Sequence, residues 1–344
     1  MHTLYGKPFQ NLYRANIRCI YFIALTLFAL TAPRLHSHLS SDSAEQTPTP
    51  WLTGPLLAPT GTVTPYGNFE IEPYAYFTAY TGMYSDDWKT ISAPDNFFSF
   101  NNQYVIFIGL TSWMDINILP QFFINSYLGK TSTHFGDFTA GFDFQLYPAD
   151  LDSLIPGVKI SLQEVFPTGS FQNFNQATFS PDQTGQGTFG TNINLVFYKV
   201  YHLAGRHFMS VTVSGAYQIN SSVHVHGYNS YGGGVGTNGK IVGGNIFEAV
   251  VSFEFTFDQN WGFAIDNVYI HKDRTVFSGV AGISPNGAPA FVGTRSTEQI
   301  SFAPAIEYNI SENMGLIAGC WFTAFGRNSS KFASGVVEFV YTYY

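Results

Sequence analysis

Glu70, Glu72, Asp115, Asp137, Asp143, Glu248, Glu254, Asp266 and Glu307 have one thing in common. Each stands in the polar phase of a segment whose residues alternate between apolar and polar. Glu338 follows the same rule, while cations in that phase are few, chiefly Lys159 and Lys272. Carboxylates gathered on one face could line a wet passage that favours cations and excludes anions. They could equally hydrogen-bond to neighbouring Tyr, Asn and Thr and simply keep an interior hydrated. A dry interior is too costly, because so many uncompensated charges need water or counter-charge.

Other chemistry is sparser. "VHVHG" sets His224 and His226 two apart, on one face if extended, but no third metal ligand stands nearby. His271 with Ser278, or His134 with Ser132, could form a nucleophile and its base, yet neither pair has a third group in a persuasive position. The glycines from Gly232 to Gly236 open no helix, so they do not form a phosphate loop. Of two cysteines, Cys19 falls in a leader and Cys320 is left without an internal partner. The reading is therefore not an enzyme, with no metal and no cofactor.

The elements that position the carboxylates are legible from "GDFTAGFDFQLYP", Gly136 to Pro148. Phe138, Ala140, Phe142, Phe144 and Leu146 share one phase, and Asp137, Thr139, Gly141, Asp143 and Gln145 the other. A period of two predicts a strand with one apolar and one polar face. The same pattern recurs over Phe69–Tyr80, Phe100–Leu110, Asp115–Tyr127, Val158–Gln163, Asn192–Phe197 and His207–Ile219. It continues over Phe247–Phe257, Phe263–Lys272, Ile300–Tyr308, Leu316–Ala324 and Phe332–Tyr344. About twelve strands of roughly 9–13 residues result, long enough to cross a bilayer when tilted.

Composition decides between a soluble sandwich and a membrane barrel. Aromatics are 17% and charged residues 11% of the 344 residues, against roughly 25% charged in soluble domains. Mean hydropathy is nevertheless near zero, unlike a bundle of membrane helices. The net charge of -8 and the lack of any basic patch exclude nucleic acid as a partner. Short connections follow Leu110, Tyr147, Tyr201, Phe257 and Ile310, and longer ones follow Tyr80, Pro167, Asn220, Lys272 and Ala324. That segregation is the habit of outer-membrane barrels, with periplasmic turns and extracellular loops. Trp113, Tyr147, Tyr201 and Trp261 stand at the short-turn ends, where an interfacial girdle belongs. The glycine-rich loops, Ser170–Gly190 and Gly227–Gly244, are expected to be mobile and without a core of their own.

At the N-terminus, Lys7, Arg14 and Arg18 precede an apolar run from Cys19 to Ala32. Residues 1–40 are read as a signal peptide and 41–66 as an irregular Pro/Thr/Gly-rich lead-in, on the periplasmic side or tucked into a barrel mouth. Residues 67–344 are the barrel.

Several stretches resemble a family of Gram-negative outer-membrane proteins named for a phenol-degradation (MetA) pathway. They are "PYGNFEIEPY" (Pro65 to Tyr74), "GDFTAGFDFQLY" (Gly136 to Tyr147), "FPTG" (Phe166 to Gly169) and "GQGTFGTNINLVF" (Gly185 to Phe197). The resemblance implies a barrel related to transporters of hydrophobic compounds and carries over no catalytic motif. The ending "VVEFVYTYY" is similar to the final strand that the outer-membrane assembly machinery takes up, with Tyr344 terminal. Thr342 and Glu338 share its phase, however, and the cleaner apolar stripe is Val337, Phe339, Tyr341 and Tyr343.

The expected fold is all-β, a transmembrane antiparallel up-and-down barrel. Its expected partners are outer-membrane lipids, the assembly machinery and a small-molecule solute. The expected role is passive uptake of small, hydrophobic or aromatic, molecules. The alternative is a non-transport surface barrel, an adhesin or structural protein whose loops bind a partner.

Overall fold

The computed structural model describes residues 51–175 and 179–344; the expected signal peptide lies outside the described residues. Strands β1 (Phe69–Tyr84) and β2 (Thr90–Gly109) form the first hairpin. β3 (Met114–Leu119) and β4 (Gln121–Tyr127) are halves of one crossing, split at Pro120. β5 (Lys130–Phe135) and β6 (Phe138–Tyr147) are halves of the next, split at Gly136 and Asp137. β7 (Gly157–Phe166) leads through the small elements β8 (Gln172–Phe174) and α1 (Phe179–Asp182) to β9 (Gly190–Ala204) and β10 (His207–Asn220). β11 (Ser222–His226), β12 (Tyr228–Asn229) and β13 (Asn238–Val242) precede β14 (Ile246–Thr256) and β15 (Trp261–Lys272). After β16 (Val276–Val280), the chain ends with β17 (Thr297–Ser311), β18 (Met314–Arg327) and β19 (Ser330–Tyr343).

Sequence neighbours pair antiparallel throughout, and β1 pairs with both β2 and β19. The sheet therefore closes on itself as a barrel of twelve crossings, with β3/β4 and β5/β6 counting once each. Closure leaves no edge whose N–H and C=O groups would face hydrocarbon unpaired.

Alternation resolves into two faces. Phe142 and Phe253 are 45% and 42% exposed on the outer wall, while their neighbours Asp143 and Glu254 are buried inside. Trp113 stacks against Phe144 at 6.1 Å and Trp261 meets Tyr308 at a tilt at 4.6 Å, both at the short-turn rim. The period breaks within the β5/β6 crossing. Leu119 pairs with Thr139 but Phe122 with Phe135, so the β5/β6 crossing carries one extra residue at Gly136 and Asp137. Such a bulge exchanges faces: above it Phe135 is exposed and His134 pairs with Phe123.

Two expectations about the loops need correction. The segments after Tyr80 and Ala324 are not long loops. β1 and β2 continue to a turn over 85–89, and β18 meets β19 through Asn328 and Ser329. β4 and β5 likewise meet in a two-residue turn in which both Leu128 (φ 49°) and Gly129 (φ 74°) are left-handed, the hairpin geometry that suits strand twist. Only 167–189, 221–245 and 273–296 are long. Nor do the glycine-rich loops lack a core. β13 pairs between β11 and β16 to make a separate three-stranded sheet. Val225, Tyr231 and Ile241 are buried beneath it, with Val223, Phe277 and Val292 packed around them. These apolar residues are spread over 70 positions (223 to 292), so no local period announces them.

Phe142→Arg or Phe253→Arg should cost about 2–4 kcal/mol in assembly, the penalty for a cation on the lipid face at mid-bilayer. Heat-modifiable gel mobility is the readout; a variant that folds as fully as the parent would refute the outward placement of these rings.

Candidate functional site

Residues 51–66 of the lead-in occupy the barrel interior, and 41–50 lie outside the described residues. The Asn309 amide donates to the Trp51 carbonyl at 3.1 Å near the short-turn end of β17. The chain then rises to Leu56, which is fully buried against Tyr74, Ala264, Ala303, Ala305, Ile317 and Val336. Ala58 packs on Val250 and Val268 across the lumen. From there it returns to the short-turn end, where the Pro65 carbonyl would lie 1.9 Å from any Cβ at position 109. Only glycine fits there. The segment has no regular structure, and prolines at 55, 59 and 65 remove amide donors that would otherwise need partners.

The remaining amides find the carboxylates. Asp266 accepts from the Leu57 N–H at 2.8 Å, and Asp115 from the Thr64 N–H at 2.6 Å. Gln145 accepts from the Val63 N–H at 3.0 Å. Lys159, almost fully buried, donates to Thr60 Oγ1 at 3.0 Å, to the Thr62 carbonyl at 3.3 Å and to Asp143 at 3.4 Å. Asn117 also donates to Asp143, at 2.9 Å. Glu254 accepts from the Ser210 hydroxyl. Glu307 is fully buried, and neither of its oxygens has a hydrogen-bond partner among the described residues. One oxygen each of Asp115, Glu254, Asp266 and Glu338 is likewise unpartnered there. Such oxygens need water, a proton or a cation.

The other candidates stand apart from the plug's anchors. Glu72 is buried on β1, with the Tyr74 hydroxyl 3.5 Å away. Glu70 sits at the β1–β19 seam, accepting from Thr342. Asp137 belongs to the long-loop end, accepting from the Gly169 and Gln186 amides at 2.9 Å each. Glu248 lines a chamber of about 320 Å³ whose floor is Leu57.

Aromatic side chains form one wall of that chamber, Tyr76, Tyr80 and Trp321, and Phe123 also lines it. Tyr76 meets Trp321 edge-on at 6.3 Å, and the indole N–H is fixed by the Ser301 hydroxyl at 2.9 Å. Ser99, Asn101 and Gln103 supply polar contacts, and Val250, Val268 and Ile270 the aliphatic side. Above it, Ser99 donates to Asn125 at 2.7 Å, whose amide donates to the Pro181 carbonyl at 3.0 Å, so the chain around Pro181 folds over the mouth. The Tyr231 hydroxyl donates to the Gln186 carbonyl at 2.8 Å. Burial pushes that phenol up to about 12, which keeps it a donor. The aromatic wall escapes sequence reasoning that looks for charge, although Tyr74 and Tyr76 stand in the polar phase of β1 and break its pattern.

The histidine candidates resolve differently. Ser132, His134 and Asp182 do meet, with Ser132 Oγ 3.1 Å and Asp182 Oδ1 3.4 Å from the same His134 Nε2. Asp182 also accepts directly from Ser132. That is a triangle on one ring nitrogen, whereas a nucleophile relay needs the acid on the other nitrogen. His271 faces Asp273 at 3.3 Å and Glu298 at 3.6 Å, beside Arg327, and Ser278 pairs with Lys240 in the outer sheet. His224 and His226 are exposed on β11. Among the described residues no three His, Cys, Asp or Glu side chains are placed to hold a metal.

No family model and no curated protein sequence matches the chain. Among solved structures, the fold is similar to the COG4313 outer membrane channel from Pseudomonas putida F1. The TM-score is 0.62 at 13% identity, over 82% of this chain and 97% of that one. The β domain of the Bordetella autotransporter BrkA aligns at TM-score 0.44 and 9% identity over 81% and 100%. The TodX monoaromatic hydrocarbon channel aligns at 0.38 and 11% over 81% and 90%. The fold is thus that of an outer-membrane β-barrel, the architecture that the family resemblance implies.

Asp115→Asn combined with Asp266→Asn should loosen the plug, since a hydrogen bond to a charged group contributes about 1.5–3 kcal/mol. In a Cys320→Ser background carrying Thr60→Cys, labelling by a polar maleimide should accelerate. An unchanged labelling rate would mean that these two anchors do not hold the segment.

Proposed function

We propose that the protein is an outer-membrane channel for passive uptake of small, hydrophobic or aromatic, molecules. A signal peptide would export it, and the assembly machinery would insert it through the C-terminal strand. The chamber carries this reading: a barrel filled for stability alone would not keep an aromatic-walled space between a floor without regular structure and a folded-over mouth. The similar Pseudomonas putida structure is described as an outer membrane channel, which supports the same role. Glu70, Glu72, Asp115, Asp137, Asp143, Glu248, Glu254, Asp266 and Glu307, against Lys159 and Lys272, give the passage a cation preference. No chemistry on the solute is part of the reading. Solute moves down its gradient when the floor yields.

The second reading, a surface barrel that binds a partner, draws on the outer sheet. Val235, Ile283 and Phe291 are exposed in the loop segments flanking that sheet.

Planar-bilayer recording of the refolded protein separates the two. Small steady openings are expected, with Leu57→Ala raising conductance by opening the floor, and a small aromatic blocking from the long-loop side. Silence from both parent and Leu57→Ala, in barrels that remain heat-modifiable, would move the assignment to the surface-binding reading.

A further inference from the structure

The chamber is asymmetric in charge. Glu248, on β14, is the only acidic or basic side chain in its lining. No lysine, arginine or histidine forms an ion pair with it among the described residues. Its register partners are Ala216 and Ile270, neither of which can donate a side-chain hydrogen bond. Facing it are the rings of Tyr76, Tyr80 and Trp321, and Trp321 is held in place through Ser301. Lys272, on β15 opposite Ile246, is not among the lining residues and reaches toward the cap, donating to Gln186 at 3.5 Å.

Each class of solute can be set against these walls. An anion meets Glu248 and has no lining cation to meet. A neutral hydrocarbon satisfies the rings but strips water from the carboxylate without replacing it. A bare metal ion needs several hard oxygen ligands, and no three metal-binding side chains are so placed among the described residues. A diffuse organic cation satisfies both sides at once. Aromatic faces attract it through their quadrupole, and Glu248 supplies the counter-charge. The volume, about 320 Å³, sits at the lower end of small-ligand pockets, roughly 300–1,000 Å³.

We propose that the chamber binds small aromatic or quaternary amines, with Glu248 as counter-charge and Tyr76, Tyr80 and Trp321 as an aromatic cage. This rests on reading the barrel as a solute channel and narrows its solute class from aromatic molecules in general to cationic ones. The ammonium end lies against Glu248 on β14, so the site also orients its occupant.

Calorimetric titration of the refolded protein with benzyltrimethylammonium tests the proposal, with benzyl alcohol as the neutral control. The cation should bind and benzyl alcohol should bind much more weakly. Glu248→Gln should weaken the cation about tenfold and leave benzyl alcohol unchanged. Trp321→Phe should weaken the cation less, because the phenyl ring keeps part of the quadrupole. Heat-modifiable mobility confirms that each variant is folded. Equal affinity for the two probes, or a Glu248→Gln protein that binds the cation as the parent does, would overturn the proposal. Conductance without cation binding would refute this inference and leave the channel reading standing. Cation binding by a silent barrel would support the site and remove the channel.

Discussion

Every backbone N–H and C=O that meets hydrocarbon must be satisfied inside the protein, and the rest of this structure follows from that requirement. The pairing of β1 with both β2 and β19 meets it by abolishing the sheet edge. Once the sheet is closed, the two faces of every strand become an outside and an inside. Phenylalanines on one face then have lipid to dissolve in. Carboxylates on the other have only what the interior provides. A barrel of twelve crossings encloses more space than its inward side chains fill, so the interior becomes the place where structure and function compete.

The lead-in and the lumen solve complementary problems. A segment without helix or sheet carries amides with no partner of their own, and the lumen carries carboxylates with too few donors. Joined, they satisfy each other: Leu57 N–H to Asp266, Thr64 N–H to Asp115. Lys159 completes the exchange by bridging Asp143 and the lead-in's Thr60 and Thr62. Full burial of Leu56 adds roughly 1.5–3 kcal/mol from apolar area alone. The match is incomplete, since both Glu307 oxygens find no partner among the described residues. The interior is therefore polar, and those oxygens still call for water, a proton or a cation.

The strands were legible because a barrel imposes one rule on each of them, and Phe142/Asp143 or Phe253/Glu254 display it locally. The same rule placed the inward carboxylates on one face. What they bond to was not legible, because Leu57 and Asp266 are 209 residues apart and share no pattern. The outer sheet escaped for a related reason: Val225, Ile241 and Phe277 meet across long loops whose glycines suggest mobility. Pro120 left no trace in the period, since Asn117, Gln121 and Asn125 keep one phase across it. The extra residue at Gly136 and Asp137 did alter the phase, but a single slip in a Phe-rich stretch is indistinguishable from noise until the partner strand is known.

The two ends of the chamber are built differently, and that difference decides which of them can yield. The mouth is closed by segments that belong to a folded unit, with a three-stranded sheet and a buried Val225–Tyr231–Ile241 core. Opening it means separating packed apolar surface as well as breaking hydrogen bonds. The floor is an irregular segment held by a few charge-assisted bonds, and it lies in an interior where water can replace each bond as it breaks. The loss per bond is then about 1.5–3 kcal/mol, and no sheet has to be dismantled. Leu56 is the largest fully buried apolar anchor, set among small side chains at Ala264, Ala303 and Ala305, with Ala58 packed on Val250 and Val268. A solute arriving in the chamber presses on Leu57, its neighbour in the chain. Movement of the floor at that point would withdraw the amide from Asp266 and the anchor from its pocket together, so the lead-in is the element through which occupancy of the chamber can be converted into an open path.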